Sequence, residues 1–295
     1  MNFNFVILTF NEARHITRCI ESVLPVADSI LVVDSYSTDN TQELSRKFDC
    51  VTVVENEFIN QSQQFNWAID NFLGEGWIFR IDADEVLSLE LQAELKQFQP
   101  AHFCGISVNR HLLFRHDVVR YGGLYPHNII RGFRLGFGKC EALEMDEHIV
   151  VNGAVAALKS KLIDASELSV DEWVLKHLKY SIREAYSYFE NQQMVAYIRE
   201  SGTDVVEHWS IRRFLKKNLF YRLPPGSRAL LYFLYRFFIR LGILDHGGAF
   251  YYHFFQGLWY RSLVDFRIFE IQRYCSKHGV SFKVAFYDLY HFSRK

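Results

Sequence analysis

The chain has 295 residues, with 33 lysines and arginines against 34 aspartates and glutamates, so its formal net charge is −1. This length suits one large α/β domain with an appendage, or two modest domains. The near-neutral charge argues against nucleic acid as a partner. The five cysteines are odd in number and show no C-x-x-C spacing, which argues against a disulfide framework or a zinc site.

The sequence predicts neither an export signal nor a membrane-spanning segment. Asn11, Glu12 and Arg14 interrupt the first apolar run, and the start lacks a basic stretch and a cleavage site of small residues. No stretch reaches roughly 18 uninterrupted apolar residues, the length of a spanning helix. Together with the cysteine content, these features predict a cytoplasmic protein.

Predicted strands and helices alternate over the first 55 residues. An apolar strand over residues 3–9 is followed by helical spacing that Pro25 ends. A second strand over residues 29–34 and a further helix and strand over residues 41–55 follow. Such alternation predicts a parallel sheet with right-handed crossovers and with ligands at the carboxyl ends of its strands.

Two carboxylates directly follow a fourth predicted strand, a short apolar run that begins at Trp77. Asp82 and Asp84 are one residue apart, and carboxylate oxygens are ligands that Mg²⁺ and Mn²⁺ prefer. Asp34 ends the second strand, so it is expected at the same edge of the sheet. The pattern predicts that these three side chains meet around a cation bound to a diphosphate.

Three motifs taken together resemble the family 2 glycosyltransferases, which have the GT-A fold. The motifs are Leu8-Thr9-Phe10-Asn11-Glu12, Val33-Asp34-Ser35-Tyr36-Ser37-Thr38-Asp39 and Ile81-Asp82-Ala83-Asp84-Glu85. They span about the first 90 residues in the order and spacing of that family. The resemblance implies an α/β domain of the GT-A type, Rossmann-like with a mostly parallel sheet. It also implies inverting transfer of a sugar from a nucleotide-diphosphate sugar.

Carried over by position, the resemblance implies a nucleotide site. Thr9, Asn11 and Glu12 would line its nucleobase end, Asp34 would hold the base or ribose, and Asn66 would lie near the nucleotide. Other roles are open for two of these residues, because Asp34 is also suited to be a helix N-cap and Glu12 to cap the next helix.

The same resemblance implies a divalent cation, Mn²⁺ or Mg²⁺, at the third motif. Asp84 would bind the metal, and Asp82 would contact the metal or the ribose. One position departs from the family, since Tyr36 stands where glycine is usual. Tyrosine avoids positive φ more strongly than glycine, so the conformation of that turn is an open question.

Acidic residues over positions 141–147 are the candidate source of a catalytic base. Direct displacement at the anomeric carbon needs a group that accepts the proton of the incoming hydroxyl. Similar glycosyltransferases place a carboxylate at about this distance after the metal motif. Asp146 is the expected base, with Glu147 as its neighbouring alternative, and His148 could orient or replace it. The other interpretation is a loop of solvated acids.

The second half of the chain changes character. From Phe103 the pattern is irregular, with only residues 105–108 strand-like, whereas residues 167–200 have helical spacing. Between His208 and Leu244 the chain has no acid but eight basic residues, which are Arg212, Arg213, Lys216, Lys217, Arg222, Arg228, Arg236 and Arg240. With apolar and aromatic residues among them, this composition is typical of helices that lie on an anionic bilayer. We therefore predict a catalytic domain over residues 1–205 and a basic, aromatic helical region over residues 206–295 that associates with the membrane.

The whole layout resembles bacterial glycosyltransferases that extend lipopolysaccharide core or exopolysaccharide units. The prediction is a metal-dependent enzyme at the inner face of the cell membrane that takes a nucleotide-sugar donor and a lipid-linked or lipopolysaccharide-type acceptor. Three alternatives remain. Asp82 and Asp84 also fit the D-x-D-x-[TV] pattern of haloacid-dehalogenase-like phosphatases. A non-catalytic membrane-binding protein would explain only the tail, and the tail could instead be a soluble subdomain or a dimer interface.

Overall fold

The computed structural model describes residues 3–71, 75–141, 148–201, 224 and 226–292, apart from the side chains of residues 191 and 193–201. Its contacts divide the chain into two compact units, Met1–Glu167 and Leu168–Lys295. The helix over residues 170–201, assigned from sequence to the first domain, belongs to the second of these units. A domain boundary after residue 205 stays a prediction.

The described part of the first unit alternates strands and helices before it becomes mainly strands. The elements are β1 (Phe3–Thr9), α1 (Ile16–Val23), β2 (Ser29–Asp34), α2 (Thr41–Ser45), β3 (Val51–Glu55), α3 (Gln61–Asn71), β4 (Trp77–Asp82), β5 (Glu85–Leu87), α4 (Leu89–Gln97), β6 (Phe103–Phe114), β7 (Asp117–Val118), β8 (Asn128–Arg134), β9 (Gly138–Cys140), β10 (Ile149–Val151) and β11 (Ala154–Asp164). The alternation that the first 55 residues predict is confirmed.

The main sheet has the strand order β3-β2-β1-β4-β8-β6-β11-β5, with β7 paired to β6. Strands β1 to β4 are parallel, β8 runs antiparallel to both its neighbours, and β11 is parallel to β6. Strand β1 is central and buried over nearly its whole length, as expected of a parallel strand covered on both faces. The predicted α/β class is confirmed.

The sheet has a separate apolar core on each face. On one face, Phe5 and Phe79 pack with Cys19 of α1. On the other, Ile78 packs with Phe65 of α3 and Phe133 of β8. Residues of alternate parity along a strand point to opposite faces, so this division fixes the direction of every side chain near the strand ends.

The described part of the second unit is helical. It contains α5 (Val170–Ser201), α6 (Ser227–Leu234), a π-helix (Tyr235–Ile239), a 3₁₀ turn (Gly242–Leu244), α7 (Gly247–Tyr252), a second π-helix (His253–Trp259), α8 (Tyr260–His278) and α9 (Phe282–Tyr290). Its core joins Tyr186 of α5 to Ile268 of α8 and Phe286 of α9. The helix predicted over residues 167–200 is confirmed as α5. In the described ranges, no helix has the length and apolar character needed to cross a bilayer.

Candidate active site

The carboxyl edge of the parallel strands carries two of the predicted acids on strands that flank β1. Thr9 is aligned with Asp34 of β2, and Leu8 is aligned with Asp82 of β4. The two aspartates are therefore separated by two strand spacings, about 10 Å. Aligned residues of parallel strands share a face, so the side chain of Asp34 leaves the face of Thr9, and that of Asp82 leaves the opposite face.

Asp34 is fully buried, and protein groups occupy its carboxylate. Its Oδ2 accepts hydrogen bonds from the hydroxyls of Thr9 (2.8 Å) and Ser37 (2.6 Å). Its Oδ1 accepts hydrogen bonds from the Ser37 backbone N–H (2.7 Å) and the Gln42 side-chain amide (2.8 Å). These four bonds bring Thr9 and Asp34 together and fix the loop that follows β2. The side chains of Asp34 and Asp82 leave opposite faces of the sheet. The meeting of Asp34 with Asp82 and Asp84 around one ligand stays a prediction, as does a contact of Asp34 with base or ribose.

Asn11 and Glu12 join the loop after β1 to the loop after β2. The Thr38 backbone N–H donates to Asn11 Oδ1 (2.8 Å), and the Asn11 N–H donates to the Ser37 hydroxyl (2.8 Å). The Glu12 N–H donates to the Thr41 hydroxyl (2.8 Å). Asn11 is exposed, and its conformation with φ of 56° is one that asparagine tolerates.

The Glu12 carboxylate contacts a buried histidine. Glu12 Oε2 lies 2.6 Å from His15 Nδ1, and the Glu167 backbone N–H donates to His15 Nε2 (3.0 Å). Since Nε2 accepts a hydrogen bond, the ring proton belongs on Nδ1, which donates to Glu12. The side chain of Glu12 thus supports the entry to α1, and a contact with the nucleobase stays a prediction.

Asn66 fastens helix α3 to strand β9. Its side-chain N–H donates to the Cys140 carbonyl (2.9 Å), and its oxygen accepts from the Cys140 backbone N–H (2.9 Å). Cys140 therefore occupies both the donor and the acceptor of the Asn66 side-chain amide. A role for Asn66 beside the nucleotide stays a prediction.

Asp82 lies in a cluster of charged side chains beyond the end of β4. Its two oxygens pair with Arg80 Nε (3.4 Å) and Arg131 Nη2 (3.0 Å), and 27% of its side chain is exposed. Arg131 also pairs with Glu85 Oε1 (2.5 Å), and Arg110 Nε lies 3.1 Å from the same oxygen. The cluster extends to β11, where Arg110 also pairs with Asp164.

The cluster shifts the pKa values of its two central acids in opposite directions. Burial works to raise the pKa of Asp82, but the positive charges of Arg131, Arg80 and Arg110 outweigh it and hold that pKa well below its usual range. Burial raises the pKa of Glu85 to about 7 against the attraction of Arg131, and the negative charge of Asp82 adds to the rise. Asp82 is therefore the ionised acid of the pair.

Asp84 occupies the turn between β4 and β5. Its side chain is half-buried, and its carbonyl accepts a hydrogen bond from the Ala165 N–H (3.0 Å). This bond ties the turn to the end of β11. The metal-site motif thus lies in a turn that is held at both ends, by β4 and by β11.

Two of the predicted catalytic residues, Asp146 and Glu147, lie outside the described residues. The strands on either side are paired, since Cys140 is aligned with Ile149, and the Glu141 N–H donates to the His148 carbonyl (2.9 Å). His148 itself is exposed. The assignment of a base to Asp146 or Glu147 stays a prediction.

Comparison with known proteins agrees with this arrangement. A model of the glycosyl transferase family 2 matches residues 5–133. The lipopolysaccharide core biosynthesis glycosyltransferase LpsC of Rhizobium meliloti is 31% identical over 192 residues, which cover 61% of this chain and 68% of LpsC. The chain belongs to glycosyltransferase family 2.

Other relatives of this family 2 glycosyltransferase match shorter segments or the fold alone. An uncharacterized glycosyltransferase of Rickettsia felis is 38% identical over 96 residues, 32% of this chain, and the match spans about a third (33%) of that relative's length. The mannosyltransferase PcManGT from Pyrobaculum calidifontis, solved with GDP-Man and Mn²⁺, has a TM-score of 0.50 and 13% identity and covers 91% of this chain and 87% of its own. The fold is of the GT-A type. Membership of glycosyltransferase family 2 argues against the phosphatase interpretation of Asp82 and Asp84.

In the chemistry of their oxygen ligands, the residues of the turn after β4 fit a divalent cation. The donor set at the β4 turn consists of carboxylate oxygens, the type that Mg²⁺ and Mn²⁺ take. Among the residues that the structure describes, no group of three or more histidine, cysteine or acidic side chains could hold a metal ion. Asp84 and Asp82 could supply only part of a coordination shell, so a bound cation would need oxygens from water or a ligand.

Sequence reasoning missed the partners of Asp82 in the cluster. Glu85 enters the sequence analysis only as the last residue of a motif, and Arg110 and Arg131, which pair with Asp82, Glu85 and Asp164, do not enter it at all. A signal did exist, because Glu85 begins a short apolar segment and therefore enters the core as β5. The positions of Arg110 and Arg131 depend on the antiparallel pairing of β6 with β8, which local sequence does not reveal.

Proposed function

We propose that this protein is an inverting glycosyltransferase that moves a sugar from a nucleotide-diphosphate sugar to a lipid-linked or lipopolysaccharide-type acceptor at an anionic membrane surface. The observation that carries the proposal is the Asp82-Ala83-Asp84 turn at the carboxyl edge of the sheet of a family 2 enzyme. That edge is where open α/β sheets bind ligands.

Asp84 is the residue that we assign to the cation, Mn²⁺ or Mg²⁺. The oxygens of Asp82 already pair with Arg80 and Arg131, so Asp82 serves best as the ionised neighbour that orients the site and contacts ribose or metal. When bound, the cation would neutralise charge that grows on the departing diphosphate. The Ala165 N–H holds the backbone of Asp84 in the turn, which supports the preorganisation that electrostatic catalysis requires.

The transfer needs one proton acceptor. The acceptor hydroxyl oxygen attacks the anomeric carbon, the bond from that carbon to the diphosphate oxygen breaks, and the nucleoside diphosphate leaves with the bonding electrons. Asp146, or Glu147 beside it, takes the hydroxyl proton as the new bond forms. Attack opposite the leaving group inverts the configuration at that carbon.

The membrane part of the proposal rests on exposed apolar side chains in the second unit, which we call the apolar ridge. Its members are Leu230, Leu231, Leu234, Tyr235, Phe238, Ile239, Leu241, Ile243 and Leu244, each between 37% and 71% exposed. Residues 230–244 contain no acid, and Arg240 among them is exposed. Several exposed apolar side chains within one short segment, together with basic charge, fit an anionic bilayer better than water. The five basic residues between 208 and 223 lie outside the described residues.

The cation assignment is tested by Asp84→Asn, which keeps the side-chain shape but removes the charge. We expect the variant to unfold at the same temperature as the wild type, to lose most Mn²⁺-dependent affinity for UDP or GDP, and to lose turnover by at least about 100-fold. Isothermal calorimetry with and without Mn²⁺ measures the binding.

The matched control is Asp49→Asn, an exposed acid next to the start of β3, at the opposite edge of the sheet. This variant should bind as the wild type does. Full Mn²⁺-dependent binding and turnover in Asp84→Asn would contradict the assignment, and a wild-type chain that binds neither nucleotide would contradict the donor class as a whole.

A further inference from the structure

Two large aromatic side chains stand exposed at the ends of neighbouring strands. Phe10 follows β1 and is 57% exposed, and Tyr36 follows β2 and is 55% exposed. By contrast, the aromatic residues within β1, Phe3 and Phe5, are buried. Thr9 and Asp34 are aligned, and the Ser35 N–H donates to the Thr9 carbonyl (2.9 Å), so Phe10 lies one residue and Tyr36 two residues beyond an aligned pair at the carboxyl edge of the sheet.

Tyr36 adopts a backbone conformation that its side chain disfavours. Its φ is 60°, in the left-handed region, which glycine enters freely but tyrosine enters at a cost. The conformation is imposed from both sides, because the Asp34 carboxylate accepts from the Ser37 N–H across Tyr36, and Asn11 holds the Thr38 N–H. The loop therefore keeps a backbone conformation that favours glycine, although a tyrosine occupies the position.

Packing within the chain does little to offset this cost. More than half of the Tyr36 side chain remains in contact with solvent, and strained residues that the surrounding backbone holds in place cluster at active sites and ligand-binding sites. An exposed flat ring on a loop whose backbone is fixed, at the ligand-binding edge of an α/β sheet, can present a π-face to a ligand. The planar group of a nucleotide that such a face attracts is the base.

We infer that Tyr36 is an aromatic wall of the nucleobase subsite and stacks on the base of the donor nucleotide. The inference rests on the proposed function and adds to it a binding residue that replaces the usual glycine. The strain in the loop is the cost of placing this ring. Stacking of a base on one aromatic ring changes affinity by about 5- to 150-fold, and it tolerates different bases because each has a π-face.

The test compares Tyr36→Gly, Tyr36→Ala and Tyr36→Phe in the full chain. Tyr36→Gly removes both the ring and the strain, so the melting temperature should stay equal or rise while the Kd for UDP and GDP, measured with Mn²⁺, rises about 5- to 150-fold. Tyr36→Ala removes only the ring, so it should weaken nucleotide binding equally but lower the melting temperature relative to Tyr36→Gly. Tyr36→Phe keeps the ring and should restore the nucleotide affinity.

Two controls separate stacking from a general effect on the fold. Mn²⁺-bound pyrophosphate has no base, so its Kd should be the same for the wild type and Tyr36→Gly. Ala101→Gly relieves another positive φ, 41°, in the turn before β6 at the opposite edge of the sheet, and it should leave the Kd for UDP and GDP unchanged.

Nucleotide affinity of Tyr36→Gly within twofold of the wild type would overturn the inference while leaving the proposed function intact. So would a parallel loss of nucleotide binding, pyrophosphate binding and melting temperature, because that pattern means a structural role. Wild-type protein that binds neither UDP nor GDP would overturn the proposed function and this inference together.

Discussion

Glu85 is a fully buried carboxylate that contacts two arginines and lies near two further acids. Its environment raises its pKa to about 7 from an ordinary value near 4.5, first through burial. Between these two pH values the folded state holds a proton that the unfolded chain releases. Stability from this group is therefore fully present below about pH 4.5 and is lost as the pH rises to about 7.

We predict that Glu85→Gln weakens the dependence of the free energy of unfolding on pH. The amide keeps the shape and stays neutral at every pH, so the wild type should lose stability between pH 5 and pH 7.5 relative to the variant, by up to about 3 kcal/mol. Urea unfolding at the two pH values measures the difference.

The control for this prediction is Glu43→Gln. Glu43 is an exposed acid whose contact with Lys47 spans 4.0 Å, and such surface pairs contribute little. Its variant should show the wild-type dependence on pH. The same change in stability between the two pH values for wild type and Glu85→Gln would contradict the proton assignment.

The functional motifs and the side chains around them differ in how far sequence reveals them. Asp34, Asp82 and Asp84 follow apolar runs in the sequence. This placement is enough to predict that they lie at the carboxyl edge of the sheet. Their directions depend on register, because Asp34 is aligned with Thr9 and Asp82 with Leu8. A shift of one residue exchanges the faces, and no local pattern specifies it.

At the scale of elements, helices α6 and α8 are joined by a buried ion pair. Arg228 Nε donates to Asp265 Oδ1 (2.6 Å), and the Gly226 N–H donates to Oδ2 (3.2 Å). The side chains are 2% and 7% exposed. A charge at such a site needs its partner, because burial alone is expensive for an ion.

We predict that Arg228→Met destabilises the chain by about 3–5 kcal/mol, since it leaves the Asp265 carboxylate buried without that partner. The double variant Arg228→Met/Asp265→Leu should recover most of this loss, because both charges are gone. Chemical denaturation of the wild type, Arg228→Met, Asp265→Leu and the double variant gives the coupling. A double variant as unstable as the sum of the single variants would contradict the pairing.

The strand β6 illustrates what sequence reading misses at this scale. Only residues 105–108 looked strand-like, but the strand continues to Phe114. Its second half contains Asn109, Arg110 and His111. These polar residues interrupt the apolar periodicity by which a strand is recognised in a sequence. They are nevertheless largely buried or paired, because β11 and β8 flank the strand and Asp164 and Glu85 receive the charge of Arg110.

At the scale of the whole molecule, the proposed binding to a bilayer depends on the apolar ridge of the second unit. Ile239 is 71% and Phe238 is 52% exposed. Burial of one such side chain in an apolar medium is worth about 1.5–3 kcal/mol. Ile239→Glu should therefore reduce binding to vesicles that contain phosphatidylglycerol by about tenfold or more, as measured by cosedimentation.

Leu89→Glu provides the control, because Leu89 is 77% exposed but belongs to α4 of the first unit. This variant should sediment with the vesicles as the wild type does. Binding that is unchanged in Ile239→Glu, or a stable dimer of the wild type in which the ridge is covered, would contradict the membrane assignment and favour contact between copies of the chain.

The sequence by itself determined the family, the α/β alternation, the acidic turn after β4 and the helical nature of the second unit. These features are local, since they depend on residue type and spacing within one element. Only the tertiary structure decided that Asp34 is enclosed by four donors, that Asp82 is paired with arginines from β4 and β8, and that Tyr36 holds a left-handed conformation. The physical reason is that strand register and long-range pairing set side-chain direction and electrostatic surroundings, and both join residues far apart in the chain.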